Sequence, residues 1–307
     1  MKRGKFIQNS ILAAGAVVSG STIPAFGAEK TVSSANNNQP FKMNYAPHQG
    51  QFQNHAGKSF VDQIQFMYDH GFRAIEDNGY LGRSVEEQEA IGNKLAQLGM
   101  TMGVFVVDGG DNWKTSLTTG KKEFHDHFIE TCHRCVEAAK RCNAKWLTVV
   151  PGFFDRSQPL GIQTSNVINT LRYAAEIFEP EGLIMVIETL SDTPDLLLQK
   201  TDETYLICKA VDSPSCKILY DFYHMQRNEG DLLKTIDRCW DEIAYFQIGD
   251  NPGRKEPGTG EINYKNAMKH VYDKGFRGIM GMEHGLSGSG KEGEIKLIEA
   301  YREIDSF

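Results

Sequence analysis

This chain has little that would suit it to a nucleic acid or to a bilayer. Its 33 Lys and Arg are outnumbered by 40 Asp and Glu, for a formal charge of −7, so no basic excess is available to follow a phosphate backbone. The N-terminal apolar run at residues 11–18 (ILAAGAVV) falls well short of the ~20 residues that span a membrane. No Gly-x-Gly-x-x-Gly follows the first predicted strand, and Gly288 and Gly290 come late with no such context, which argues against a dinucleotide-binding sheet. Six cysteines are present, but their spacing is no disulfide framework. Cys132, Cys135 and Cys142 fall on one predicted helix, and Cys208, Cys216 and Cys239 lie in or near others. A lone Cys-x-x-Cys makes a poor zinc site, so buried free thiols are expected.

What is present begins with an export signal. Lys2, Arg3 and Lys5 precede the apolar run, and Ala25-Phe26-Gly27 puts small residues at the −3 and −1 cleavage positions. Residues 1–27 are therefore expected to direct the protein to the periplasm by a Sec or Tat-like route. The segment Lys2-Arg3-Gly4-Lys5-Phe6-Ile7 is a degenerate twin-arginine motif, with Gly4 where the second Arg belongs. Residues 28–40 read as a polar linker. Without the three signal cations the body carries about −10.

Residues 41–307 alternate apolar runs with amphipathic segments and show no domain break. Strands are expected at 42–46, 74–76, 102–107, 146–150, 183–187, 217–220, 243–248 and 279–282. Helices are expected at 60–70, 84–98, 123–142, 165–178, 203–211, 231–241, 264–274 and 292–304, several stopping at Gly, as at Gly71, Gly99 and Gly275. Strict alternation implies parallel strands joined by crossover helices. Eight units in a chain of this size predict a single (β/α)8 TIM barrel catalytic domain.

In such a barrel the chemistry sits at the C-terminal ends of the strands. Those ends carry Glu188, Asp221, Gln247 and Glu283, each after an apolar run such as Ile184-Met185-Val186-Ile187. One strand-end acid is readily explained by a helix cap or a lysine partner. Four oxygen-bearing side chains on successive strands are not, and three carboxylates converging on one point would repel without a cation. Oxygen ligands select a hard divalent ion, so a metal site for Mg2+ or Mn2+ is expected. Beyond Asp221, His224 is placed to hold a substrate oxygen, or else lies on the surface of its loop. The loop 247–264 packs four glycines and two prolines among charged and amide residues, which fixes its shape. Within it Arg254 and Glu256 are candidate substrate contacts, and a surface salt bridge is the alternative for Arg254.

These residues resemble the hydroxypyruvate isomerase family, within the xylose isomerase-like barrel superfamily. Asp221 to Gly230 (DFYHMQRNEG) is similar to that family's Asp-x-Tyr-His-Met-Gln-Arg-x-Glu-Gly segment, and Gln247 to Tyr264 follows its Gly- and Pro-rich loop almost residue for residue. The resemblance implies a metal-dependent aldose–ketose isomerase or epimerase in carbohydrate metabolism, passing through an enediolate. It also implies that Glu188 and Glu283 form the proton donor–acceptor pair and that Glu188, Asp221, Gln247 and Glu283 hold the metal. The chain departs from the family at Thr189-Leu190-Ser191 and His284-Gly285-Leu286, and at Ala46-Pro47-His48, Glu76-Asp77-Asn78-Gly79 and Asp108 to Trp113, positions that shape the pocket. The missing lysine after Glu283 weakens the case for a small anionic substrate.

The expected partner is a small sugar or keto acid, with no nucleic acid and no membrane once the signal is removed; an oligomer is compatible with the sequence. Two other readings share the barrel. A lyase acting on 3-keto-glycosides would use the same site but release an aglycone, and a sugar-binding barrel without catalysis would not need both Glu188 and Glu283. A zinc endonuclease is disfavoured by the acidic body and the scarcity of His at the strand ends.

Overall fold

The computed structural model describes residues 39–307, so the expected export signal lies outside the described residues, as does most of the linker. The strands are β1 (Asn44–Ala46), β2 (Ala74–Ile75), β3 (Thr101–Met102), β4 (Val104–Val106), β5 (Trp146–Val149), β6 (Ile184–Glu188), β7 (Cys216–Asp221), β8 (Ile243–Gln247) and β9 (Ile279–Gly281). All their pairings are parallel, in the order β1-β9-β8-β7-β6-β5-β4 with β2 against β3. β3 and β4 are two halves of one stave, broken at Gly103, whose N–H donates to Ile75 O at 2.7 Å. The stave reaches β2 again where Asp77 N–H donates to Val104 O. Between β1 and β2 the seam is closed by the His48–Glu76 bridge and by Glu76 N–H donating to Pro47 O at 3.0 Å. Eight staves thus close into the expected barrel.

The helices are α1 (Gln53–Ala56), α2 (Phe60–Asp69), α3 (Val85–Leu98), α4 (Lys122–Cys142), α5 (Leu160–Phe178), α6 (Thr201–Val211), α7 (Phe222–Asn228), α8 (Leu232–Cys239), α9 (Tyr264–Asp273) and α10 (Gly290–Ile304). Local chemistry sets many of their ends. Ser84 and Glu87 form a capping box on α3, and Gly99 ends it in the left-handed conformation at φ 64°. Two short helices depart from the expected pattern. α1 fills the loop after β1, and α7 begins directly at the end of β7 because Asp221 Oδ1 accepts from Tyr223 N at 2.6 Å and His224 N at 3.3 Å. α5 starts five residues before the expected 165, straight after Pro159, whose fixed φ suits a helix start.

The core has two layers. Ala46, Ala74, Val104, Val186, Leu219, Tyr245 and Ile279 fill the barrel interior, while a larger cluster including Ile64, Ile91, Leu171, Ile207 and Leu297 lies between staves and helices. Strands buried on both faces explain why 184–187 reads as a continuous apolar run rather than an alternating one. All six cysteines are buried and unpaired, as expected. No helix of the described residues is long and apolar enough to cross a membrane.

Candidate active site

The parallel staves deliver Glu188, Asp221, Gln247 and Glu283 to one end of the barrel. Asp221 lies in register with Gln247, and Gln247 with Gly281, two residues before Glu283. Glu188, Asp221, His224 and Glu283 each offer a ligand-type atom, and those atoms all lie within 4.8 Å of one another. Asp221 spends Oδ1 on capping α7, which leaves Oδ2 facing the group. Glu188 Oε1 and Gln247 Oε1 are buried with no hydrogen-bond partner. Buried oxygens left unpaired among carboxylates are costly, and a hard cation is the ligand that satisfies them together. The expected four-oxygen set therefore fits a divalent ion.

Electrostatics point the same way. Burial first, then the charges of Glu283 and Asp221, raise the Glu188 pKa well above the ordinary carboxylate value. Burial likewise pushes Glu283 up to about 7 against the pull of Arg254, with Glu76 and Asp221 adding to the rise. Crowded acids without enough counter-charge hold protons that a bound cation would release.

His224 belongs to this group by position but not by donor chemistry. The Ser191 backbone N–H donates to His224 Nδ1 at 3.1 Å, so Nδ1 is an acceptor and the neutral ring carries its proton on Nε2. Burial lowers its pKa, which keeps the ring neutral. Nε2 lies 3.6 Å from Asp221 Oδ2 and 4.0 Å from Glu188 Oε1 and has no hydrogen-bond partner. A protonated Nε2 donates; it does not ligate. The expected role of holding a substrate oxygen is the one this tautomer suits.

Arg254 is carried to the site by the 247–264 loop, and the loop is built around Asp250. That wholly buried carboxylate accepts from Gly258 N and Gly260 N at 2.9 Å each and from Ile262 N at 3.1 Å. Gly260 is required there, because a Cβ would stand 2.0 Å from Asn251 O. Tyr264 clamps the base of the loop, donating its OH to Gly249 O at 2.7 Å. So held, Arg254 donates Nη2 to Glu283 Oε2 at 2.7 Å and lies 3.4 Å from Asp221 Oδ2. It is no surface salt bridge. Glu256, expected as a substrate contact, is instead turned into the protein, where it accepts from the Ser287 N–H at 2.8 Å and from the Ser287 hydroxyl. Its work is to tie two loops together, and it does not line the cavity beside the acids.

Several contributors carry no individual role in the sequence reading, which marks their strand ends only as shaping the pocket. Glu76, at the end of β2, is fully buried. Its Oε2 accepts from Tyr245 OH at 2.7 Å, and its Oε1 accepts from Gln247 Nε2 at 2.7 Å and contacts His48 Nε2 at 2.8 Å. The bond to Gln247 fixes the amide so that its oxygen, not its nitrogen, is the free atom. Burial disfavours charge on His48, but Glu76 outweighs it and the His48 pKa is raised. Asn78 donates Nδ2 to Glu283 Oε1 at 2.7 Å. Glu76 does satisfy the rule that exposed the other acids, a carboxylate directly after an apolar strand, but the sequence marks Glu76-Asp77-Asn78-Gly79 only as a strand end that shapes the pocket.

A cavity of about 380 Å³ opens beside the acids, lined by Glu188, Glu283, His224 and Arg254 together with Asn78, Asp108, Asn112 and Trp113. The family model described as xylose isomerase-like TIM barrel matches residues 64–303. The hydroxypyruvate isomerase of Escherichia coli (strain K12) is 36% identical over 140 residues, covering 45% of this chain and 54% of that protein, so the alignment spans about half of that relative's length. The 2-oxo-tetronate isomerase of Pectobacterium atrosepticum is 27% identical over 240 residues, covering 76% of this chain and 89% of that protein. Among solved structures, the 3-keto-D-glucoside 4-epimerase from E. coli superposes with a TM-score of 0.73 at 16% identity, covering 87% of this chain and 100% of that one, a likeness of fold.

Proposed function

Because the chain belongs to the xylose isomerase-like TIM barrel family, we propose that it is a metal-dependent isomerase or epimerase of a small hydroxy-carbonyl compound. Relatives named for hydroxypyruvate and 2-oxo-tetronate isomerisation, and fold neighbours named as sugar epimerases, support that class. The observation that carries the proposal is the trio Glu188, Asp221 and Glu283 at the barrel mouth, with Glu188 Oε1 buried and bonded to nothing. Glu188, Asp221, Gln247 and Glu283 would hold the ion, Mg2+ or Mn2+. When bound, such an ion polarises a carbonyl and its neighbouring hydroxyl and acidifies the α C–H.

The residues of the chain do the rest. His224 Nε2–H donates to a substrate oxygen, and Arg254 holds the Glu283 carboxylate in place. One of Glu188 and Glu283 takes the α-proton, leaving an enediolate, and the other returns a proton either to the neighbouring carbon, with the hydroxyl proton passing between the two oxygens, or to the opposite face of the same carbon. The first outcome is isomerisation and the second epimerisation. Export to the periplasm, read from residues 1–27, is part of the same proposal; N-terminal sequencing of the mature protein should begin at Ala28, and an intact Met1 would contradict it.

Glu188→Gln and Glu283→Gln test the mechanism. Glutamine keeps an oxygen and nearly the same volume but cannot take a proton, so exchange of the substrate's α-proton with solvent deuterium should fall roughly 10²–10⁴-fold. Circular dichroism should be unchanged. Exchange at the wild-type rate in either variant would refute the assignment.

A further inference from the structure

One side chain of the cavity lining is set up to read a hydroxyl group. Asn78 follows β2, lines the cavity and donates Nδ2 to Glu283 Oε1 at 2.7 Å. That bond fixes the sense of the amide, because turning it over would set its oxygen against the ionised Glu283. Oδ1 is therefore an acceptor, and it is buried with no hydrogen-bond partner. The backbone around it is braced on both sides. Glu76 N–H donates to Pro47 O at 3.0 Å, Asp77 N–H to Val104 O at 3.2 Å and Val106 N–H to Asn78 O at 3.3 Å, while Arg83 grips the Asp77 carboxylate. There is room next to it: a Cβ at Gly79 would meet nothing beyond its chain neighbours nearer than Asp77 Oδ1 at 3.8 Å. An orphaned acceptor held this firmly in a cavity is unfavourable until a donor arrives.

The donor that suits it is a substrate hydroxyl. Its sense is opposite to that of His224 Nε2–H, the unpartnered donor 4.0 Å from Glu188 Oε1. An α-hydroxy-carbonyl unit offers one group of each kind, a carbonyl oxygen that only accepts and a hydroxyl that also donates. A cation held by the acids would engage oxygen lone pairs and leave the hydroxyl proton free for Asn78. Position agrees as well. A general base works within about 2.6–3.2 Å of the atom that gives up the proton. Asn78 touches the Glu283 carboxylate, so a hydroxyl at Oδ1 lies close to the carbon that Glu283 serves. A carboxylate, a carbonyl or a bare methylene in that place leaves Oδ1 unpaired.

We propose, resting on the proton-transfer reading above, that Asn78 is a specificity-determining residue that accepts a hydrogen bond from a substrate hydroxyl while it holds Glu283. Hydroxypyruvate with pyruvate, and D-fructose with its 1-deoxy, 3-deoxy and 4-deoxy analogues, make matched probes that differ by one hydroxyl. Each is measured by calorimetric binding and by solvent deuterium uptake, at Mn2+ concentrations that saturate every variant. In at least one pair the wild type should favour the hydroxylated member by about 10–100-fold, the usual penalty for a buried acceptor left unpaired. Asn78→Ala should bring that ratio below about threefold. Asn78→Asp keeps an acceptor oxygen, so it should preserve the ratio while slowing exchange, because it sets a second carboxylate against Glu283. A ratio unchanged in Asn78→Ala would leave Asn78 only a support for Glu283 and overturn the proposal. So would loss of the ratio in Asn78→Asp, the absence of any preference in the wild type, or failure of every probe to bind. Probes that bind with the expected ratio but never exchange keep the Asn78 assignment and sink the proton-transfer reading.

Discussion

A single methyl group at Gly281 should disable the site from behind. A Cβ at this position of β9 would stand 1.8 Å from Glu76 Oε2, 2.6 Å from its Cδ and 2.9 Å from Oε1. The carboxylate cannot swing aside cheaply, since Tyr245, Gln247 and His48 hold both of its oxygens. Overpacking of this kind costs about 1–3 kcal/mol. Displacing the acid also breaks charge-assisted hydrogen bonds worth about 1.5–3 kcal/mol each, so Gly281→Ala should lose roughly 3–6 kcal/mol. At roughly 2–4 °C per kcal/mol for a domain of this size, the melting temperature should fall by about 6–24 °C. The rise in melting temperature on adding Mn2+ should shrink too, because Gln247 loses the bond that aims its oxygen. The double variant Glu76→Ala/Gly281→Ala is the control. There the methyl enters vacated space, so it should be no less stable than Glu76→Ala alone, a strong coupling between the two positions. If Gly281→Ala melts within 2 °C of the wild type and responds normally to Mn2+, the buried acid does not occupy the place described.

The acid cluster should set a pH dependence. Glu283, with a pKa raised to about 7, and Glu188, raised well above 4.5, hold protons in the folded state that the unfolded chain gives up. The stability they contribute to the ion-free protein is present below about 4.5 and is lost as pH rises toward 7. Thermal melts should therefore decline across that window, Glu283→Gln should flatten the decline, and Mn2+ should stabilise more at pH 7.5 than at pH 5; a flat profile would contradict the reasoning. Asp250→Ala strips three backbone N–H groups of their acceptor and should cost about 2–4 kcal/mol, read as a lowered melting temperature with slowed α-proton exchange, because Arg254 no longer holds Glu283. The six cysteines should react with a thiol reagent only after denaturation, since all are buried and burial pushes Cys135 up to about 12 and Cys142 to about 11. Rapid labelling of the native protein would argue against that packing.

The barrel was legible because strands buried on both faces leave apolar runs, and because helices between them stop at Gly. The acids were legible because a carboxylate directly after such a run has few uses. α7 was not, since its residues read as a loop after β7 until the Asp221 cap is seen. The broken stave at Gly103 leaves two strands too short to show periodicity. Glu256 was misplaced because a charged residue in a constrained loop looks the same whether it faces a ligand or the loop's neighbour. Only the bonds to Ser287 distinguish the two. Glu76 was legible as a strand end that shapes the pocket, but not as the fully buried acid that fixes Gln247, because nothing in sequence pairs β2 with β8.

The barrel mouth is shared unequally between the halves of the chain. The strand-end acids Glu188, Asp221 and Glu283 come from β6, β7 and the end of β9, whereas Asn78, Asp108, Asn112 and Trp113 follow β2 and β4 and line the same cavity. Most of the acid cluster and most of the remaining polar lining thus come from separate stretches of sequence, joined where Glu76 holds Gln247 and Asn78 holds Glu283. Mutation or recombination at Asp108, Asn112 and Trp113 can vary the lining while the acids, and Glu76 and Asn78 that hold them, stay unaltered. A barrel divided in this way is suited to diversification, because the part that must not change and the part that benefits from change are neighbours in space but not along the gene.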